Sequence, residues 1–367
     1  MKITEITLSR HRLDFDPPFL PSWDSRPRSS FTVDLVRVET DEGQTGYGSG
    51  DSMAGFAGHE GLFVGQDPLQ IERHFRVIEN LSFHYGRMYP LDCALWDLYG
   101  KITGQPVWRL LGASDGRVRT YASSGSLRDA REQADLACQL KREGFPALKI
   151  RFQRPDWRDD ILALEAVREA VGEDLVLMVD CNQGWRMPWD TAAPWTYKDA
   201  LTVARYLEEL DVYWMEEPLH RGDYAGMAAL REATDLRIAG GEMTRELHEL
   251  RELVLRGCLD VLQTDCAVAG GITGLSRMAQ LCRSEGVAFT PHTWGNGIGL
   301  LANAHLAAAA GSPYLEFPYD PPQWLPSVRD FPLTEPVAVD EEGWLTLPET
   351  PGLGLELDEE RLAETQV

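Results

Sequence analysis

The chain has 367 residues, and its 58 acidic against 35 basic residues give a formal net charge of −23 at pH 7. This length exceeds a typical single domain but suits one large barrel with a smaller companion unit. The charge argues against nucleic acid or an anionic membrane surface as a partner, because either would be repelled, whereas a small anionic substrate needs only a local group of Lys, Arg or metal ions.

The N-terminal segment MKITEITLSRHRLDF alternates apolar and polar residues, which predicts a first strand. It lacks the apolar core and the small-residue cleavage site of a secretion signal. No segment of the chain approaches about eighteen uninterrupted apolar residues, so we expect no membrane span. The six cysteines show no CxxC spacing, which favours a reducing compartment and predicts a cytoplasmic protein.

Residues 1–118 are predicted to form a separate α+β unit, because strand-like alternation gives way to helical periodicity around CALWDLYGKITGQPVWRLLG. Two predicted loops, at roughly 15–30 and 50–66, are rich in aromatic, Met, Arg and Pro residues and could cover a barrel mouth. Trp23, Arg26 and Met53 in these loops are candidate substrate contacts. The open alternative is that such residues only close the unit on the barrel or form an oligomer contact.

Residues 119–318 repeat a short β-rich run followed by an amphipathic helical stretch, typical of βα alternation. Eight parallel strands with crossover helices close most naturally into a β/α barrel, and no phosphate-binding glycine motif follows a strand. Residues 319–367 are expected to pack back on the first unit. The predicted strands are 121–125, 147–152, 175–182, 212–218, 237–242, 261–265, 288–292 and 314–318.

Three successive predicted strands finish with an acid, namely Asp180, Glu216 and Glu242. Because the C-terminal ends of barrel strands converge on one face, these carboxylates should share a site. A hard divalent cation relieves their repulsion, and an oxygen-only ligand set suits Mg²⁺ better than zinc. The alternative is that each acid caps the helix that follows it.

Further charged residues follow the same logic. Lys149 and Arg151 are two apart in LKIRF, so they share a face, and the apolar residues between them place both cations inside the barrel. Asp265 and His292 end neighbouring strands, and an Asp that accepts one imidazole N–H makes the other nitrogen a better general base. The sequence therefore predicts cations for an anionic substrate and a base beside it.

Together these residues resemble the enolase superfamily, specifically the mandelate racemase subgroup, over nearly the whole chain. The contexts MVDCNQGW, WMEEP and GGE are similar to those of the family. The resemblance implies an α+β capping domain, built from both termini, over a modified (β/α)7β barrel. It also implies Mg²⁺ on the three acids, a supporting role for Glu217, and a hydrogen bond from Glu316 to the substrate carboxylate as it becomes an enolate. Asn182, in MVDCNQGW, and Trp294, two residues after His292, are further candidate substrate contacts.

Arg151 departs from the family pattern, which has a second lysine at this position. That lysine is the base on one face of the substrate, whereas an arginine stays protonated and is a poor base. His292 is then the only obvious base, which favours dehydration of an acid sugar (an aldonate or aldarate) to a 2-keto-3-deoxy acid. Epimerisation or racemisation, lactone cycloisomerisation, and a barrel that binds metal and anion without turnover stay open. We expect a small-molecule carboxylate substrate and a homo-oligomer, from dimer to octamer.

Overall fold

The computed structural model describes residues 1–50 and 52–367, and its N-terminal unit packs helices on an antiparallel sheet. The first strand runs further than predicted, so the expected loop 15–30 shrinks to residues 20–27. The reason is aromatic packing, because Phe15 and Phe19 are buried against Trp324 of the C-terminal tail. The elements of this unit are β1 (Ile3–Phe19), β2 (Arg28–Thr40), β3 (Thr45–Gly50), a 3₁₀ turn (Glu60–Leu62), α1 (Ile71–His84), α2 (Tyr89–Thr103) and α3 (Val107–Leu110).

Close contact between β3 and α2 holds this cap together. A Cβ on Gly46 would lie 2.2 Å from the Ala94 carbonyl oxygen, and one on Gly48 would lie 2.0 Å from the Pro90 carbonyl oxygen. Glycine is therefore required at both positions for the strand to lie against the helix.

The central part of the chain forms the barrel. Its parallel strands are hydrogen-bonded in the order β10-β9-β8-β7-β6-β5-β4-β11, and the strand–helix alternation is (β/α)7β. The elements are β4 (Arg117–Ser123), α4 (Ala130–Arg142), β5 (Ala147–Arg151), α5 (Trp157–Val171), β6 (Val176–Asp180), α6 (Tyr197–Glu209), β7 (Val212–Glu216), α7 (Tyr224–Ala233), β8 (Arg237–Gly240), α8 (Leu247–Leu255), β9 (Val261–Leu262), α9 (Gly271–Glu285), β10 (Ala288–Phe289), α10 (Gly297–Ala310) and β11 (Leu315–Pro318).

Strand register brings the charged residues side by side. Arg151 on β5 is paired with Asp180 on β6, which in turn is paired with Glu216 on β7. β4 begins four residues earlier than predicted, and β9 and β10 are only two residues long. Asp265 and His292 therefore follow the short strands rather than end them, although the His292 amide still donates to the Thr264 carbonyl oxygen at 3.2 Å.

The tail contacts both the barrel and the cap. It contains α11 (Pro326–Arg329), β12 (Trp344–Thr346) and α12 (Glu359–Thr365). β12 pairs antiparallel with β4, and the His11 Nδ1 of β1 lies 3.0 Å from the Leu362 carbonyl oxygen of α12. Among the described helices, none is both long and apolar enough to cross a membrane.

Candidate active site

Three buried carboxylates meet at the C-terminal end of the barrel strands. Asp180, Glu216 and Glu242, here called the acidic triad, each offer an oxygen within 4.8 Å of the other two. Asp180 and Glu216 are the last residues of β6 and β7, and Glu242 follows β8 after Gly241, whose φ of 110° turns the chain. The strand ends thus place the three predicted ligands together.

The charge balance at the triad calls for a cation. Burial and the nearby carboxylates raise the pKa of Glu216 to about 8 despite the opposing effect of Lys149. Glu242 Oε2 is buried and has no hydrogen-bond donor among the described residues. The buried acids of this region outnumber Lys149 and Arg151; they are Asp180, Glu216, Glu217, Glu242, Asp265 and Glu316. An oxygen-only, excess-negative cluster fits Mg²⁺.

Lys149 lies between two acids. Its Nζ is 2.6 Å from Glu216 Oε1 and 2.8 Å from Glu316 Oε1, with no exposed side-chain surface. Burial opposes the ammonium charge, but Glu216 and Glu316 outweigh it and raise the Lys149 pKa. Lys149 is therefore a fixed cation at this site and not a proton acceptor.

Arg151 is held on every side. Its Nε donates to the Ser124 carbonyl oxygen at 2.9 Å, and its guanidinium pairs closely with Asp180. The group also lies over two indole rings, 5.0 Å from the Trp23 centroid and 5.4 Å from the Trp294 centroid. Burial opposes its charge, but Asp180 and the other acids outweigh burial and raise its pKa. These contacts exclude Arg151 as a base.

His292 and Asp265 form the predicted pair. His292 Nδ1 lies 3.2 Å from Asp265 Oδ2, and Nε2 lies 3.6 Å from Glu242 Oε2. Burial opposes protonation of His292, but Glu242, Glu316 and Asp265 outweigh burial and raise its pKa to about 9. A cation on the acidic triad would cancel the Glu242 contribution and bring the imidazole closer to its neutral, proton-accepting form.

Asn303 on α10 orients this pair. Its Nδ2 donates to Asp265 Oδ1 at 2.8 Å, and its Oδ1 accepts from the Cys266 amide at 3.0 Å. The sequence interpretation missed Asn303, although a signal was present. It is a polar residue in the apolar helix GIGLLANAHLAAAA, and a buried amide requires partners.

Trp185, in the loop after β6, was also missed. Its Nε1 donates to Glu242 Oε1 at 2.7 Å, so it fixes one member of the acidic triad. Gln263 does the same for Glu216, since its Nε2 lies 2.7 Å from Glu216 Oε2. Neither contact has a local sequence signature, because each joins residues more than forty positions apart.

Glu316 on β11 is held as a carboxylate. It accepts a hydrogen bond from the Thr293 amide at 3.0 Å, in addition to its ion pair with Lys149. Burial opposes its ionisation, but Lys149, His292 and Arg151 outweigh burial and lower its pKa. Its predicted role as a hydrogen-bond donor to substrate, which needs a proton on Glu316, stays a prediction.

A cavity of about 200 Å³, here called the inner chamber, opens between the cap and these groups. Trp23 and Trp294 line it, and their contact with substrate stays a prediction. Asn182 lies beside Asp180, and both polar atoms of its buried amide have no partner among the described residues. The inner chamber is lined by Phe19, Trp23, Arg28, Phe31, Arg151, Trp185, Glu242, Met243, His292, Trp294 and Trp324.

Two of the predicted substrate contacts lie elsewhere. Met53 is packed into the hydrophobic core of the cap with Phe56, where it has no access to the chamber. Arg26 is exposed and is not part of the chamber lining. A Met beside small residues fits a core position as well as a binding position, so the sequence pattern did not separate the two.

The chain is similar to known proteins over almost its full length. Residues 3–112 match the family described as mandelate racemase / muconate lactonizing enzyme, N-terminal domain, and residues 131–361 match enolase C-terminal domain-like. An arabinonate dehydratase of Saccharolobus solfataricus is 30% identical over 341 aligned positions, covering 87% of this chain and 86% of that protein.

Two further relatives differ in activity. A D-galactarolactone cycloisomerase of Agrobacterium fabrum is 30% identical over 391 aligned positions, covering 99% of this chain and 98% of that protein. The crystal structure of a racemase from Streptomyces coelicolor with bound magnesium is 28% identical, with a TM-score of 0.85 and full coverage of both chains. Dehydratases, cycloisomerases and racemases thus share this fold.

Proposed function

The chain belongs to the mandelate racemase and muconate lactonizing enzyme group of the enolase superfamily, and we propose that it removes the proton from the carbon next to a substrate carboxylate. We further propose that this step leads to dehydration of an acid sugar, an aldonate or aldarate, to a 2-keto-3-deoxy acid. Mg²⁺ on the acidic triad would supply a Lewis acid that acidifies this proton.

The observation that carries the proposal is the presence of one base. Arg151, which stands where a second base would be needed, is fixed by Asp180, Ser124 and two indole rings. His292 is the one imidazole beside the acidic triad among the described residues, and Asp265 orients it. Exchange of a proton between opposite faces needs two acid–base groups, so this arrangement favours elimination from one face.

The residues have separable roles in that elimination. His292 Nε2 takes the proton from the α-carbon, and the resulting imidazolium returns a proton to the departing β-hydroxyl, which leaves as water. Lys149 and Arg151 offset the negative charge that develops on the substrate carboxylate. The enol product then tautomerises to the keto acid without further help from the protein.

Lactone cycloisomerisation is the second candidate. It also needs only one base, and the Agrobacterium relative covers 99% of this chain. Epimerisation is less well supported, because Arg151 would have to act as an unusual proton donor. A barrel that binds without turnover is disfavoured by the complete set of triad and base.

A panel of aldonates, aldarates and their lactones, incubated with the protein and Mg²⁺, tests the proposal. Dehydration predicts a keto acid that has lost one water relative to an acid-sugar substrate, whereas cycloisomerisation predicts a product of unchanged mass from a lactone. No product from any member, with metal bound, would contradict both candidates. The cytoplasmic location and the homo-oligomer stay predictions, the latter testable by size-exclusion chromatography with light scattering.

A further inference from the structure

A second cavity, here called the outer chamber, adjoins the inner chamber. Its volume is about 830 Å³, against about 200 Å³ for the inner chamber. Trp23, Arg28, Trp185 and Met243 line both chambers, so the two spaces share a wall. Trp185 links this shared wall to the acidic triad, because its indole N–H donates a hydrogen bond to Glu242.

Basic residues outnumber acidic residues in the lining of the outer chamber, although acidic residues predominate in the chain as a whole. The chain has 58 acidic against 35 basic residues, yet five arginines and only two acids line this cavity. A set of solvated surface charges should mirror the acidic composition of the chain. The arginines are Arg28, Arg87, Arg186, Arg221 and Arg245.

The two acids lie at the N-terminal end of a helix, which stabilises their negative charge. Glu246 is the N-cap residue of α8 and Glu249 lies in its first turn, where the helix dipole stabilises negative charge. They are therefore not needed as partners for the arginines. Their presence at the chamber wall does not account for its basic character.

Two of the arginines have no partner of their own. Arg28 pairs with Asp24, and Arg186 donates to the Ala192 carbonyl oxygen at 2.7 Å. Arg221 and Arg245, in contrast, have exposed side chains that make no hydrogen bond or ion pair with the described residues. They come from the loops after β7 and β8; the first of these loops follows Glu216, and the second contains Glu242.

Resting on the proposed function, we propose that the outer chamber binds a second anionic group at the end of the substrate remote from the reacting carboxylate. The planar guanidinium of an arginine can form two parallel hydrogen bonds with a carboxylate or a phosphate. All of the Lys and Arg side chains in the chamber lining are arginines. The substrate class is then a dianionic sugar acid, either an aldarate or an aldonate with a terminal phosphate.

Binding to a protein that cannot turn over separates this inference from the proposed function. The Mg²⁺-loaded His292→Asn variant is titrated calorimetrically with aldonates, with aldarates of matched configuration, and with the aldonates phosphorylated at the terminal hydroxyl. One class of dianion should bind at least about tenfold more tightly than its monoanion, the effect of one charge-assisted contact. Which class does so identifies the remote group as a carboxylate or a phosphate.

The decisive comparison adds Arg221→Gln with Arg245→Gln to the same background. The preference for the dianion should fall to about onefold, while monoanion binding stays unchanged. Arg131→Gln with Arg142→Gln on α4 removes the same charge outside the chamber and should leave the preference intact. The inference would be overturned by equal affinity for monoanions and dianions, or by no dianion binding at all. Equal losses of the dianion preference in the chamber and control variants would also overturn it.

Turnover by the wild-type chain gives the independent arm. If no acid sugar is converted but the dianion preference depends on Arg221 and Arg245, the outer chamber binds the second anionic group and the proposed dehydration is wrong. If monoanionic aldonates are dehydrated and no dianion preference exists, the proposed function stands and the outer chamber does not bind substrate.

Discussion

Replacing Asn303 with alanine should slow catalysis without weakening substrate binding. The change removes the 2.8 Å donor to Asp265 Oδ1 and leaves the buried Cys266 amide without its acceptor. Loss of the charge-assisted hydrogen bond and of the acceptor for the amide costs about 3 kcal/mol in the free energy of unfolding, which lowers the melting temperature by about 4 °C for a chain of this size.

The catalytic effect follows from the geometry of the pair. Asp265 Oδ1 still accepts from the Ala267 amide at 2.9 Å but loses its second donor, Asn303. The carboxylate is then held less firmly, so the imidazole of His292 on its other oxygen is oriented less well. A small misplacement of a reacting group lowers kcat by on the order of 10- to 100-fold. KM should stay unchanged, because Asn303 does not line the inner chamber.

His305→Ala is the matched control for this variant. His305 lies two residues further along α10, is equally buried, and accepts from the Trp108 amide at 2.9 Å without contacting the pair. Both variants should melt at lower temperature, but only Asn303→Ala should lose kcat, measured on the folded protein with an acid sugar that the wild type converts. Equal kcat in the two variants would refute the positioning role of Asn303.

Three other predictions concern the metal and pH. Mg²⁺ at about a hundredfold excess over its Kd should stabilise the fold by about 2.7 kcal/mol, seen as a rise in melting temperature that Asp180→Asn abolishes; an unchanged rise in that variant would place the ion elsewhere. Trp185→Phe keeps the aromatic wall but removes the N–H to Glu242, and it should weaken Mg²⁺ binding by about tenfold in calorimetry, whereas unchanged affinity would deny the indole that role. Burial lowers the pKa of His305 to about 4, so its neutral form contributes stability above the unfolded-state pKa, about 6.5, and that contribution, about 3 kcal/mol, is lost as pH falls toward 4. The melting temperature should therefore drop less between pH 7 and pH 5 in His305→Gln than in the wild type, and an equal drop would contradict this account.

The sequence predicted the fold and the acidic triad because both depend on regular spacing. Strand periodicity located the barrel strands, and an acid at each of three strand ends predicted a shared site, where the three carboxylates do lie within 4.8 Å of one another. The pair of Asp265 and His292 was also predicted from strand ends, although both residues follow strands that are shorter than predicted.

Contacts between distant loops were not predictable in this way. Trp185 reaches Glu242 because the loop after β6 folds over the end of β8, and nothing in the local pattern indicates that approach. Met53 was assigned to substrate binding, but side-chain type alone does not distinguish the cap core from a chamber wall. The outer chamber arises from three separate loops and the cap, so its excess of arginine appears only in three dimensions.

Solvent deuterium labelling tests one-face proton abstraction by His292 most directly. An acid sugar that the wild type converts is incubated in D₂O with Mg²⁺ and either wild-type or His292→Asn protein. The account predicts a dehydrated keto acid from the wild type, no inverted substrate, and neither product nor exchange of the α-proton with His292→Asn. Deuterium in recovered substrate of the opposite configuration, or α-proton exchange that persists in His292→Asn, would contradict it.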